Sequence, residues 1–322
     1  MPERILDRMP KEMRMGQGQF RDPSDDMLTY IVQLGLQDFL MNTASFPGDK
    51  QWEYEDLLAA RKKAEKHGLR LMALENVPIS FYQQVMLGEP GRDEQIGHMQ
   101  TTIRNMGRAE IPILGIHWMP SGVWSTQPPA VLRGGSTSRR FNIDKHPADE
   151  LTFGRVVTEE ELWDNLKYYM AGILPVAEEA GVTLAFHPDD PPVPSLGGVA
   201  RILRNFEGFK RLTDTFDSPN VGLNFCIGCW SEMGGHENVL RGIRHFGPRG
   251  QIAGRDRRHP GQLGEQGTHR AGRTPSVASS AFPGLHRSRT ADLCPSCSSP
   301  CSPLAMRRSG ASSSDRTAEG VR

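Results

Sequence analysis

The chain contains no run approaching the ~20 consecutive apolar residues of a membrane span. Its N-terminal stretch, MPERILDRMPKEMRM, carries charges throughout. It lacks the apolar core of about 7–15 residues that marks a signal peptide. A soluble, cytoplasmic protein is expected. Net charge is also lacking, because 38 Lys and Arg balance 38 Asp and Glu. No global field therefore favours nucleic acid or an anionic membrane as partner. Five cysteines in 322 residues are too few for a secreted disulfide framework. Hydrophobic residues, at 37%, fall below the usual globular share, and that deficit is not spread evenly.

Residues 12–250 alternate in an orderly way. Short β-rich runs at 36–43, 69–78, 111–120, 182–188 and 221–229 each precede a stretch with helical signals, at 51–68, 92–110, 158–181, 197–206 and 234–246. A long polar insertion separates the run at 111–120 from its helix. Thr158 and Glu161 stand at capping-box spacing at the head of the longest helix. With a weak first strand near MRMGQG, the pattern makes six β-then-α units, which imply a parallel sheet. A doubly wound open sheet and a (β/α)8 barrel both accommodate six units. No G-x-G-x-x-G follows the first strand, which disfavours the dinucleotide-binding version. Glu75, His117, His187 and Cys226 sit at or just beyond the C-terminal ends of the runs, where a barrel places its chemistry. The expected architecture is an incomplete (β/α)8 TIM barrel of about six units, spanning residues 1–250, followed by an irregular tail, 251–322.

That tail has 11 Arg and no Lys, together with 12 Ser, 8 Gly and 6 Pro, and neither Trp nor Tyr. It shows no helical or strand period, so it cannot bury enough apolar surface to offset its ordering entropy. A naturally disordered tail is one reading. Out-of-frame translation of a GC-rich gene explains the composition better, and the change falls where a seventh strand is due.

The cysteines at 226, 229, 294 and 297 form two C-x-x-C pairs, but 64 residues separate them. Compact zinc modules have far shorter gaps, so a joint four-cysteine site is not expected. His187 is the stronger candidate. It ends an apolar run, and Pro188, Pro191 and Pro192 stiffen the turn behind it. It could ligate a metal or be a hydrogen-bonded turn histidine. Asp189 and Asp190 could orient the ring, ligate, or cap the turn. Cys226 ends the next predicted strand. It could pair with His187 on a borderline divalent ion, or fill the core as a small hydrophobe. Glu75 suits substrate hydroxyls or a rim ion pair. His117 and Trp118 could line the pocket or pack beneath the insertion.

Around these residues the sequence resembles the mannonate dehydratases, a family of the xylose-isomerase-like (β/α)8 barrels. The segments that carry the resemblance are ENVP, GRDEQIGHMQTTIRNMGRAEI, HWMP, ELWDNLKYYMAGILPVAEEAGVTLAFHPDDPP and VGLNFCIGCWSEMGG. The resemblance implies dehydration of D-mannonate, a small sugar acid, to 2-keto-3-deoxy-D-gluconate in hexuronate breakdown. It also implies a divalent Mn2+ or Fe2+ cofactor held by a His, a Cys, a second His and an Asp. His187 and Cys226 match the first two positions, while the substrate-binding reading of Glu75, His117 and Trp118 rests on their places at the ends of the runs. Two departures stand out. The family tends to carry Asn where this chain has His117. Its VHFRD-like strand is replaced here by QIAGRDRRHPGQ, and no residue of 251–322 matches a family motif. Little or no dehydratase activity is therefore expected of this chain. A sugar isomerase or epimerase on the same barrel, and a catalytically dead polypeptide, are the alternatives. Homo-oligomerisation is left open.

Overall fold

Strands buried on both faces need helices on both sides of the sheet or a closed barrel, and the order of the strands decides between the two. The computed structural model describes residues 3–247, apart from Lys11 and residues 147–149. Six strands, β1 (Gly16–Phe20), β2 (Asp38–Asn42), β3 (Arg70–Glu75), β4 (Ile113–His117), β5 (Thr183–His187) and β6 (Val221–Leu223), form one sheet. Each strand pairs in parallel with the next in chain order. A doubly wound sheet would reverse order at a switch point. No reversal occurs among the described strands, so the chain forms six successive units of a (β/α)8 barrel. The tail at 251–322 lies outside the described residues, as does the composition-based reading of it.

The main connecting helices are α1 (Asp25–Gln33), α2 (Tyr54–Lys66), α3 (Gln83–Leu87), α4 (Arg92–Arg108), α5 (Glu159–Ala180), α6 (Phe206–Thr215), α7 (Ile227–Glu232) and α8 (Gly235–Phe246). Helix α5 shows how the sequence sets its limits. The Thr158 hydroxyl accepts from the Glu161 backbone N–H at 3.2 Å. Glu159, Glu160 and Glu161 crowd the positive end of the helix dipole. Gly181, at φ 68°, closes the other end. The reciprocal half of the expected capping box is diverted, since the Glu161 carboxylate pairs with Arg155 at 2.8 Å. Pro175 lies inside the helix but on its exposed face, so the carbonyl it leaves without an N–H partner can turn to water.

Helices α4 and α5 approach closely because two positions lack a side chain. A Cβ on Gly107 would lie 2.6 Å from the Ala180 carbonyl oxygen, and one on Gly172 would lie 2.6 Å from Ile96 Cγ2. Gln100 crosses the same seam and donates to the Gly172 carbonyl at 2.8 Å.

Two predicted elements are corrected. Residues 197–206 are not a helix. Gly197 and Gly198, both at positive φ, turn a short hairpin between Ser195–Leu196 and Val199–Ala200, and the helix begins only at Phe206, behind its Asn205 cap. The run at 221–229 is not one strand either. Pairing stops at Leu223, and α7 starts at Ile227 with Cys226 as its N-cap. Cys226 therefore stands beyond its strand rather than at its end. The insertion at 121–157 carries a small hairpin between Ala130–Val131 and Thr137–Ser138.

Candidate metal centre

The sheet register brings His117 and His187 side by side, because they are direct partners at the ends of β4 and β5. The Nδ1 of His187 lies 2.7 Å from the Pro188 carbonyl oxygen. A carbonyl can only accept, so Nδ1 carries a proton, and the hydrogen bond with Cys226 falls to Nε2. A ring fixed this way through one nitrogen presents the other to a partner. That partner is sulfur. His187, Cys226 and Cys229 each offer a ligand atom, and these atoms lie within 4.8 Å of one another. Cys226 and Cys229 are three residues apart at the head of α7, so both thiols fall on one side of the first turn.

The electrostatics of this cluster favour a thiolate. The Cys226 pKa is pulled down to about 4, chiefly by the hydrogen bond from Cys229, against the cost of burial and with help from His187. Cys229 moves the opposite way, because its proton is shared with the neighbouring thiolate and the site is buried. Burial opposes the charged form of His187. The Cys226 thiolate and the Glu75 carboxylate outweigh it and raise the pKa above the ordinary value.

A second polar network enters from β2 and β3. Asn76 Nδ2 donates to Asn42 Oδ1 at 3.2 Å, and the Thr43 hydroxyl donates to the same oxygen at 2.8 Å. This leaves Asn76 Oδ1 facing His117 Nδ1 at 3.2 Å, so the His117 Nδ1 donates and its Nε2 is an acceptor. Thr43 and Asn76 both adopt positive φ, 45° and 59°, which costs about 1 kcal/mol or more each for a residue with a side chain. Burial, and then the charge on His187, lower the His117 pKa to about 4 and keep the ring neutral. Glu75 is 7% exposed and accepts from Asn224 Nδ2 at 2.8 Å, a contact that links β3 to the segment after β6. Gly115 lets the β3 backbone pass close by at this point, since a Cβ there would lie 2.9 Å from Glu75 Cα.

The other flagged residues behave differently. Trp118 stands one residue beyond β4 (Ile113–His117). It is 1% exposed, donates Nε1 to the Leu162 carbonyl at 3.1 Å, and packs on Tyr169 at 5.3 Å. These contacts tie the ring to α5, in line with the packing alternative. Asp189 is the buried anchor of the turn. Its Oδ2 accepts from the Leu203 N–H at 2.6 Å, and burial raises its pKa to about 7 despite Arg201 nearby. Arg201, itself 1% exposed, clamps two loops through the Gly122 carbonyl at 2.8 Å and the Asp190 carbonyl at 3.2 Å. Asn42, Asn76, Asn224 and Arg201 were not singled out from the sequence. The three asparagines could have been found by reading the residue at or just past each strand end.

His187 and Cys226 suit a borderline divalent ion, because imidazole and thiolate are the donors such ions take. Among the described residues, no helix is long and apolar enough to cross a membrane.

Comparison with known proteins bears on the same segment. The family model for D-mannonate dehydratase (UxuA) matches residues 19–153 and 145–254. Mannonate dehydratase 2 of Halalkalibacterium halodurans is 31% identical over 258 residues, which covers 71% of this chain and 73% of that protein. A mannonate dehydratase of Streptococcus equi subsp. zooepidemicus is 32% identical over 222 residues, covering 61% and 60% respectively. The chain thus spans between 60% and 73% of the length of these relatives. The crystal structure of mannonate dehydratase from Streptococcus suis serotype 2 superposes with a TM-score of 0.66 at 31% identity, over 76% of this chain and 70% of that one.

Proposed function

The chain belongs to the D-mannonate dehydratase family, and on that premise we propose that its strand-end cluster is the metal-holding half of a sugar-acid dehydratase site. The observation that carries this reading is the convergence of His187 Nε2 and the Cys226 thiolate within the segment matched to the family. Both residues would hold a divalent ion, Mn2+ or Fe2+. When bound, the ion supplies Lewis acidity toward the substrate carboxylate and hydroxyl.

The reaction removes the proton α to the carboxylate of D-mannonate and expels the neighbouring hydroxyl as water. The resulting enol then becomes the 2-keto-3-deoxy acid. Glu75, held by Asn224, faces the cluster and accepts from sugar hydroxyls. The neutral His117 offers Nε2 as a further acceptor. A pKa near 4 makes it a poor base, so its part is hydroxyl binding rather than proton abstraction. The proton-transfer groups, and the second His and Asp of the ligand set, are not assigned to any described residue.

We infer further that these 322 residues alone turn over slowly. His187 and Cys226 make up half of the ligand set that the family resemblance implies. Among the described residues, β1 and β6 each pair on one side only.

The test is to incubate the full chain with Mn2+ or Fe2+ and D-mannonate and to assay keto-deoxy acid and ketose separately. Trace keto-deoxy acid is expected. Robust metal-dependent turnover would overturn the low activity while supporting the reaction class. Ketose formation would overturn the class.

A further inference from the structure

Cys229 lies outside the His, Cys, His and Asp set that the family resemblance implies. It is buried, 5% exposed, on the first turn of α7. Its Sγ lies within 4.8 Å of both the Cys226 sulfur and a ring nitrogen of His187. Tetrahedral coordination with bonds of about 2.0–2.3 Å places ligand atoms roughly 3.5–3.8 Å apart. The three atoms therefore need only small movements to share one ion. The spacing is also right, since C-x-x-C opening a helix is a recurrent way to aim two sulfurs at one point. The surroundings favour a cation, because Asp190 and Glu232 lie against Cys229 and form a second group of potential ligand atoms within 4.8 Å.

We propose that Cys229 is a third metal ligand, so that this chain holds its ion through one nitrogen and two sulfurs. The inference rests on the reading of His187 and Cys226 as ligands and deepens it. On coordination, the Cys229 thiol proton passes to solvent, since only the thiolate ligates. Two sulfurs move the site's preference toward Zn2+ and Fe2+ and away from the harder Mn2+.

The experiment is X-ray absorption at the zinc edge on the full-length chain loaded with Zn2+. Cys294, Cys297 and Cys301 are replaced by Ser, so that Cys226 and Cys229 are the remaining thiols. These changes lie outside the described fold. Two sulfur scatterers at about 2.3 Å are expected. One sulfur would overturn the role of Cys229 while leaving the His187–Cys226 reading intact. No sulfur would overturn both. In the same background, Cys229→Ser should lower the count from two to one, and an unchanged count would contradict the proposal.

Discussion

The two ends of the barrel bury polar groups in opposite ways. At the N-terminal ends of β2 and β3, Asp38 meets Arg14 at 2.5 Å and Arg70 at 2.6 Å, so a buried carboxylate is neutralised in place. At the C-terminal ends, His117 is kept neutral, Cys226 is poised as a thiolate, and Asp189 is held near its titration point. The first arrangement stabilises the fold. The second spends some of that stability on groups with unmet capacity to bind. A barrel is expected to separate the two roles in this way, with stability at the bottom and chemistry at the top.

The largest expected effect that would break or sharpen this contrast is in thiol reactivity. Below its pKa, an ordinary thiol alkylates about tenfold faster per pH unit, whereas a group with a pKa near 4 is already ionised. In metal-free protein, the rate of Cys226 alkylation by iodoacetamide, mapped by peptide mass spectrometry, should be flat from pH 5 to 8. A rate that climbs steeply across this range would contradict the thiolate.

Next comes the pH dependence of stability. The folded pKa of Asp189, about 7, lies above the ordinary value of 3.8. Ionisation therefore opposes folding, and its contribution is lost as pH rises from about 4 to about 7. The difference corresponds to about 4 kcal/mol at most. Asp189→Asn keeps an acceptor for Leu203 and should remove this fall. Urea midpoints of both proteins at pH 5 and pH 7.5 check it, and parallel pH dependence would count against the buried-acid account.

At the opposite end, Asp38→Asn should cost about 1–3 kcal/mol in the same assay, because it leaves Arg14 and Arg70 without their shared carboxylate. It should leave metal binding unchanged, and a loss of metal would blur the separation of the two ends. The smallest effect is expected from Thr158→Ala, which removes the cap on Glu161 and should cost about 1 kcal/mol with no change in Cys226 reactivity.

Much of this was legible in the residues. The β-then-α alternation predicts the six parallel strands, because buried parallel strands read as apolar runs bounded by helix caps. His187 is legible because an apolar run ending in His before a proline-rich turn is a rigid strand end. Local pattern fails where backbone geometry decides. Gly197 and Gly198 read as a helix start, but their positive φ makes a hairpin. Trp118 read as either a pocket or a packing residue, and only the folded chain shows its bond to the Leu162 carbonyl on α5. The bond from Asn224 to Glu75 spans 149 residues and has no local signature. Cys229 was visible as half of a C-x-x-C, but only the fold shows that its sulfur and the His187 ring share one space.

The most direct test of the metal-holding site is a count of bound ion. The full-length chain is dialysed against Mn2+ or Zn2+, and metal per chain is measured by plasma mass spectrometry beside the double variant His187→Ala, Cys226→Ala. The account predicts about one ion per chain that the double variant loses. Equal metal in both proteins would contradict it.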